Sequence, residues 1–88
     1  MPYRVEISPS AGKDLRRLPA VSRKRLEPAI MALADEPRPD GVRKIRGEEQ
    51  AYRIRQGDYR IIYDIYDDVS LVVILRVDRR SESTYRRI

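Results

Sequence analysis

Cysteine and histidine are both absent from the chain. Without cysteine there is no disulfide and no thiolate chemistry, and cysteine usage says nothing about redox compartment. Without histidine the usual proton acceptor near neutral pH is gone, and the two absences together remove the usual zinc ligands. Chemistry is left to carboxylates, tyrosines and cations. Ser81, Ser83 and Thr84 have no histidine to activate them, which excludes a serine triad in its usual form. A long apolar run is also missing near the start: the first twenty residues hold Arg4, Lys13, Asp14, Arg16 and Arg17. That stretch is neither a signal peptide nor a membrane span, and a cytoplasmic location is the expectation.

Charge is what the chain has in excess. Its 88 residues are 41% hydrophobic and 38% charged, enough for one small folded domain over residues 1–88 with an ion-crowded surface. Nineteen basic against fourteen acidic residues leave a net +5, a balance that favours a polyanionic partner. The excess is concentrated: residues 42–63 and residues 76–88 each contribute +3, and the rest sum to −1. Sixteen of the nineteen cations are arginine, whose planar fork matches phosphate oxygens in pairs and stacks on bases. A general compositional preference for arginine would produce the same count.

The apolar spacing divides the chain into elements. Tyr3, Val5 and Ile7 alternate with Arg4 and Glu6, as in a strand with one buried face. Ser8 fits an N-cap with Pro9 at the first helical position, and Ala11, Leu15 and Leu18 follow at helical spacing until Pro19. A second stripe, Leu26, Ile30 and Leu33 with Ala29, predicts a helix from about Ser22 to Glu36. Pro28 lies inside it, so a kink or a later start is expected there. After the connector Glu36 to Gly41 the period returns to two in Val42–Ile45, Ala51–Arg55, Tyr59–Tyr66 and Ser70–Val77. The unbroken apolar run Leu71 to Leu75 predicts a central strand covered on both faces. A short terminal helix can begin at Ser81. The expected fold is α+β, with two N-terminal helices packed on a mainly antiparallel sheet of four to five strands.

Candidate chemistry lies in the basic strands. Tyr52 and Ile54 point to one face, so Arg53 and Arg55 point to the other. A two-residue turn at Gln56-Gly57 would pair Arg55 with Asp58 and Arg53 with Arg60, placing Arg53, Arg55 and Arg60 on a common face. Like charges directly opposed are destabilising, and a bound phosphate would compensate them. A solvated face whose arginines splay apart would show the same pattern. Arg76, Arg79 and Arg80 form a second cluster ahead of Tyr85, Arg86 and Arg87. Tyr85 lies beyond the sheet among these cations, where it can stack on a base or position a phosphate. Tyr52, Tyr59 and Tyr63 follow the core parity and read as structural, whereas Tyr66 falls on the opposite parity. Asp64, Asp67 and Asp68 gather at a hairpin end, where aspartate is ordinary turn material.

The stretch Tyr52-Arg-Ile-Arg-Gln-Gly-Asp-Tyr-Arg-Ile-Ile-Tyr63 resembles the sheet signature of the RelE/ParE toxin superfamily. The resemblance covers nearly the whole chain: Lys44-Ile-Arg-Gly47 is similar to the lead-in strand, and Leu75-Arg-Val-Asp-Arg-Arg80 with Tyr85 to the closing strand and terminal helix. It implies a toxin that enters the ribosomal A site and cleaves messenger RNA, and that a RelB-like antitoxin neutralises in a toxin–antitoxin hetero-oligomer. Carried over residue by residue, it implies a catalytic set of Arg53, Arg55, Arg60, Arg79 and Tyr85. RNA contacts would come from Arg43, Lys44, Arg46, Arg76, Arg80 and Arg86. The implied chemistry needs no metal or other cofactor. The 2′-hydroxyl attacks the adjacent phosphate while cations stabilise the charge that accumulates.

In this scheme Arg60 and Arg79 hold the phosphate, Tyr85 orients the substrate, and Arg53 or Arg55 assists proton movement. The chain departs from the family in two places. The third-strand cations are often lysine in relatives, and arginine, with a pKa above about 12, is a poor proton shuttle. Some relatives have histidine where this chain has Asp78. Two other functions are compatible with the fold: a ParE-like inhibitor that binds DNA gyrase, and an RNA-binding module without catalysis, whose phosphate contacts would give strongly salt-dependent binding and no product.

Overall fold

Ser8 starts the first helix as its spacing predicts. Its backbone is extended (φ −65°, ψ 160°), and its Oγ accepts a hydrogen bond from the Ala11 amide at 3.1 Å. In the computed structural model, which describes residues 2–79, this cap separates strand β1 (Arg4–Ile7) from helix α1 (Pro9–Arg16). The terminal helix expected from Ser81, and with it Arg80, Tyr85 and Arg86, lies outside the described residues. Helix α2 (Ala20–Ala32) follows almost at once. Arg23 on its first turns donates to the carbonyls of Leu15 and Leu18 and so serves the unsatisfied end of α1.

Pro28 does not delay α2, which starts at Ala20, ahead of the Ser22 expected from the sequence, and runs through the proline to Ala32. Pro28 lies on the exposed side of the helix. The carbonyl one turn earlier, deprived of its helical donor, is therefore open to water, which lowers the cost of the missing bond. The helix also ends before the expected Glu36, with turns over residues 33–35 ahead of Pro37.

The sheet has five strands in the order β1-β5-β4-β3-β2, with β2 at Arg43–Lys44, β3 at Ala51–Gln56, β4 at Tyr59–Tyr66 and β5 at Leu71–Arg79. Four of the strands form an antiparallel meander, and β1 pairs with β5 in parallel, Val5 opposite Val72 and Ile7 opposite Ile74. The apolar strand β5 is thus interior, but β4 is the middle strand. Nor is β5 fully covered on both faces: Val72 and Ile74 are buried on the helix side, whereas Leu71, Val73 and Leu75 are only partly covered.

Both helices pack on one face, so the core lies between them and the sheet. Ala11 and Leu15 from α1, Leu26 and Ile30 from α2, and Leu33 just after it meet Ile61, Tyr63, Ile65, Val72, Ile74 and Val77. Each fully buried aliphatic side chain there contributes about 1.5–3 kcal/mol. The alternation along β5 breaks once. Between Ile62 and Tyr63 of β4 the register to β5 shifts, so that Tyr63 faces Ile74 and Ile62 faces Arg76, with Leu75 as the extra residue. This bulge brings Val77 back to the core and turns Arg76 and Asp78 to the opposite, outer face of the sheet.

Candidate nucleic-acid interface

The outer face owes its character to the β3–β4 hairpin. The two-residue loop is Gly57-Asp58, one position later than the sequence suggested, because glycine rather than glutamine takes the positive φ (+60°) required at the first loop position. Gln56 therefore pairs with Tyr59, Arg55 with Arg60, and Arg53 with Ile62. The proposed pairs Arg55–Asp58 and Arg53–Arg60 are corrected accordingly. A shift of two in the pairing preserves side-chain parity, so Arg53, Arg55 and Arg60 still share the outer face. Arg43 on β2 stands opposite Arg53 and extends the set, and Gly41, Arg43, Arg53 and Arg55 line a cavity of about 170 Å³. The result is two directly opposed arginine pairs on one surface, Arg43 with Arg53 and Arg55 with Arg60.

Across β4, Arg60 has an anionic neighbour. Asp78 on β5 is its register partner, and Asp78 Oδ2 lies 3.6 Å from Arg60 Nη2, with the arginine side chain only 17% exposed. The other carboxylate oxygen of Asp78 lies 3.4 Å from Arg76 Nη2. Arg76 in turn donates from Nε to Asp14 Oδ2 at 2.9 Å, and the same oxygen accepts the Val77 amide at 2.9 Å. Asp14 thus serves the margin of β5 beyond the end of β1. Burial pushes its carboxyl pKa up, but the hydrogen bonds from Arg76 and Val77 outweigh that and hold it below the usual range. Sequence reading noted Asp78 only as a departure from the family and gave Asp14 no role, since their partners depend on the bulge and on a contact between residues 62 positions apart.

The remaining candidates separate. Arg79 is opposite Tyr59, on the helix side of the sheet, and lines a cleft of about 440 Å³ with Pro19, Ser22, Arg25, Leu26 and Tyr59. Strand alternation thus puts Arg60 and Arg79 on opposite faces, where the sequence reading joined them around one phosphate. Lys44 pairs with Tyr52 and belongs to the helix side of β2, and Arg46 stands in the exposed turn that follows. Arg76 faces outward but is committed to Asp14 and Asp78. Arg80, Tyr85 and Arg86 are among the residues not described.

A second polar cluster, unforeseen from the sequence, pins the α2–β2 connector to the sheet. Arg38 donates two hydrogen bonds to Asp67, at 3.1 and 2.8 Å, and its guanidinium carbon sits 5.2 Å from the centre of the Tyr52 ring. Tyr3 donates to the same Asp67 at 2.5 Å. The hydrogen bond from Arg38, then that from Tyr3, pulls the Asp67 pKa down to about 2. Beneath them Tyr52 stacks on Tyr63 with centroids 6.3 Å apart, and the buried Tyr63 hydroxyl donates to the Pro37 carbonyl at 2.8 Å. Burial pushes the Tyr63 phenol up to about 12. Tyr59 donates to Ser22 Oγ, and Tyr66 to Asp64. Asp67 is both a turn residue, as expected, in the 3₁₀ turn Asp67–Val69, and an anchor. Among the described residues no group of carboxylates is arranged to hold a metal ion, and no helix is long and apolar enough to cross a membrane.

Known proteins share this fold. Residues 5–84 match the family described as the ParE toxin of type II toxin–antitoxin systems. Toxin RelG of Mycobacterium tuberculosis is 39% identical over 88 residues, covering 99% of this chain and all of the relative. The mRNA interferase toxin RelE of Escherichia coli is 28% identical over 85 residues, covering 94% of this chain and 88% of that one. The crystal structure of the M. tuberculosis toxin–antitoxin complex RelBE2 contains a chain that superposes with a TM-score of 0.81 at 34% identity, covering 91% of this chain and all of that one. With two helices on a five-stranded sheet and a family match over nearly its whole length, the chain belongs to the RelE/ParE toxin family of type II toxin–antitoxin systems.

Proposed function

We propose that this chain is the toxin of a RelBE-type pair: an endoribonuclease that cleaves messenger RNA in the ribosomal A site and is held inactive by a RelB-like antitoxin. The observation that carries the reading is the outer face of the sheet, where Arg43, Arg53, Arg55 and Arg60 gather as two directly opposed pairs. Two relatives support it. The E. coli protein is named an mRNA interferase, and the M. tuberculosis structure is a toxin–antitoxin complex.

The arrangement suits phosphoryl transfer driven by electrostatics. Arg55 and Arg60 bracket the scissile phosphate, and their charges stabilise the pentacoordinate species formed when the 2′-oxygen attacks phosphorus and the 5′-oxygen leaves. Arg53 and Arg43 follow the adjacent backbone, while Arg79 stands apart from them on the helix side. Arginine is a poor proton shuttle, so Arg53 and Arg55 hold charge, while the 2′-hydroxyl gives its proton to water and the leaving 5′-oxygen takes one up from water.

The test is to induce the chain without antitoxin and map the 5′ ends of cellular messenger RNAs, with and without translation blocked. Cuts inside translated codons that vanish when translation is blocked are the expected result. The family description names ParE, which gives the second reading its footing. Intact transcripts together with DNA damage signals would transfer the assignment to gyrase inhibition.

A further inference from the structure

Among the described residues, the charges that run from α1 over the margin of β5 onto the outer face are ordered, and the order has a break. From the α1 side they run Asp14, Arg76, Asp78 and Arg60, alternating in sign and linked at 2.9, 3.4 and 3.6 Å. The next side chain across the sheet is Arg55, the register partner of Arg60, and it repeats the positive sign. Asp78 therefore stands on one side of Arg60 and the like-charged Arg55 on the other. Arg76 holds the second oxygen of Asp78, and Asp14 holds Arg76, so the carboxylate is fixed beside Arg60 rather than left to swing into solvent.

A phosphate seated on Arg55 and Arg60 would extend the alternation by one member. It would also lie close to the fixed charge of Asp78, in a place where Arg60 is largely shielded from water and screening is weak. Asp78 thus has two opposed effects. It neutralises one of two facing cations when no anion is bound, and it repels the anion that those cations attract.

We propose that Asp78 is a built-in counter-ion of the basic face, stabilising the RNA-free protein at Arg60 while competing with RNA phosphate for the same guanidinium, and so limiting how tightly the toxin holds RNA. This rests on the reading of that face as a phosphate-binding surface. The consequence is a weaker grip on substrate and product, which favours release. A residue that merely supported the fold would have only the first effect.

The opposed signs make the test. Binding of a short 2′-O-methyl RNA, which lacks the attacking hydroxyl, is measured over a salt series for the full chain, alongside thermal melting. Asp78→Asn, which keeps the shape and removes the charge, is expected to bind about five- to tenfold more tightly at low salt. Its log–log salt slope should steepen by about 0.7, as for one further phosphate contact on a single strand. Its Tm should fall by about 2–5 °C. Asp78→Glu, which keeps the charge, should retain wild-type affinity and slope. Lower or unchanged affinity in Asp78→Asn, while Arg60→Gln still weakens binding, would overturn the inference and leave the phosphate-binding reading standing. No binding by the wild-type chain would overturn both.

Discussion

Arg55 and Arg60 face each other directly across the β3–β4 ladder, one residue from the closing pair Gln56 and Tyr59 of the hairpin. Opposed Cβ atoms in such a ladder are about 5 Å apart, so the two side chains leave the backbone as direct neighbours on one face. Arg55→Ala and Arg60→Ala should each lower single-turnover cleavage on ribosomes by about 10²–10³-fold, the usual loss when a donor to a developing oxyanion is removed. Arg55→Ala should at the same time leave Tm unchanged or slightly higher, because it relieves a like-charge contact. Wild-type cleavage rates in both variants would remove the site.

The register of that pair depends on Gly57. Nothing lies within 4 Å of where a Cβ would project, so Gly57→Ala meets only the backbone penalty at φ +60°. A loss of about 1–2 kcal/mol is expected in urea unfolding. If the hairpin slips to relieve it, Arg55 and Arg60 lose their opposition and RNA binding falls as well. Unfolding curves that superpose on wild type would show that the loop carries no such strain.

Tyr63→Phe should cost about 1–3 kcal/mol, since it leaves the Pro37 carbonyl without its donor in a buried setting. The same hydroxyl offers a spectroscopic check. In an alkaline absorbance titration one tyrosine should resist ionisation until about pH 12. Its raised pKa means that the unfolded chain releases this proton first. The associated stability is present below about pH 10 and is lost as pH rises toward 12. Ionisation of every tyrosine near pH 10 in the folded protein would contradict the burial of this hydroxyl.

Asp67 gives the opposite sign at the acid end. Its folded pKa of about 2 is below the ordinary aspartate value, so its contribution to stability is full above about pH 4 and disappears as pH falls toward 2. Arg38→Gln removes the principal cause, and the pH dependence of Tm between about pH 4 and pH 2 should flatten in that variant. An equally steep fall in wild type and variant would mean that Arg38 does not govern the Asp67 titration.

Much of this fold can be read from the chain because local signals and burial agree. Ser8 with Pro9 marks a helix start, the stripe Leu26, Ile30 and Leu33 marks a helix face, and Tyr52 with Ile54 assigns Arg53 and Arg55 to the outer side. Most of the failures depend on contacts between distant residues. The bulge at Leu75 cannot be inferred from β5 alone, because simple alternation from Val72 and Ile74 would put Arg76 in the core. Once it is known, Asp78 becomes the neighbour of Arg60 and Arg79 moves to the helix side. The Arg38–Asp67 anchor joins a connector to a turn 29 residues away and leaves no periodic trace. Pro28 misled for a different reason, since a helix tolerates the lost bond on a wet face.

The parallel pairing of β1 with β5 also bears on when the sheet can close during synthesis. The ribosome releases β1 first and β5 last among the described strands, yet β5 lies between β1 and β4 and supplies Val72, Ile74 and Val77 to the core. Until β5 emerges, β1 has no neighbour in the sheet, and the hairpin bearing Arg55 and Arg60 lacks one of its flanks. A chain that ends before Leu71 therefore lacks the strand that joins β1 to the rest of the sheet, and the basic face has no closed scaffold behind it.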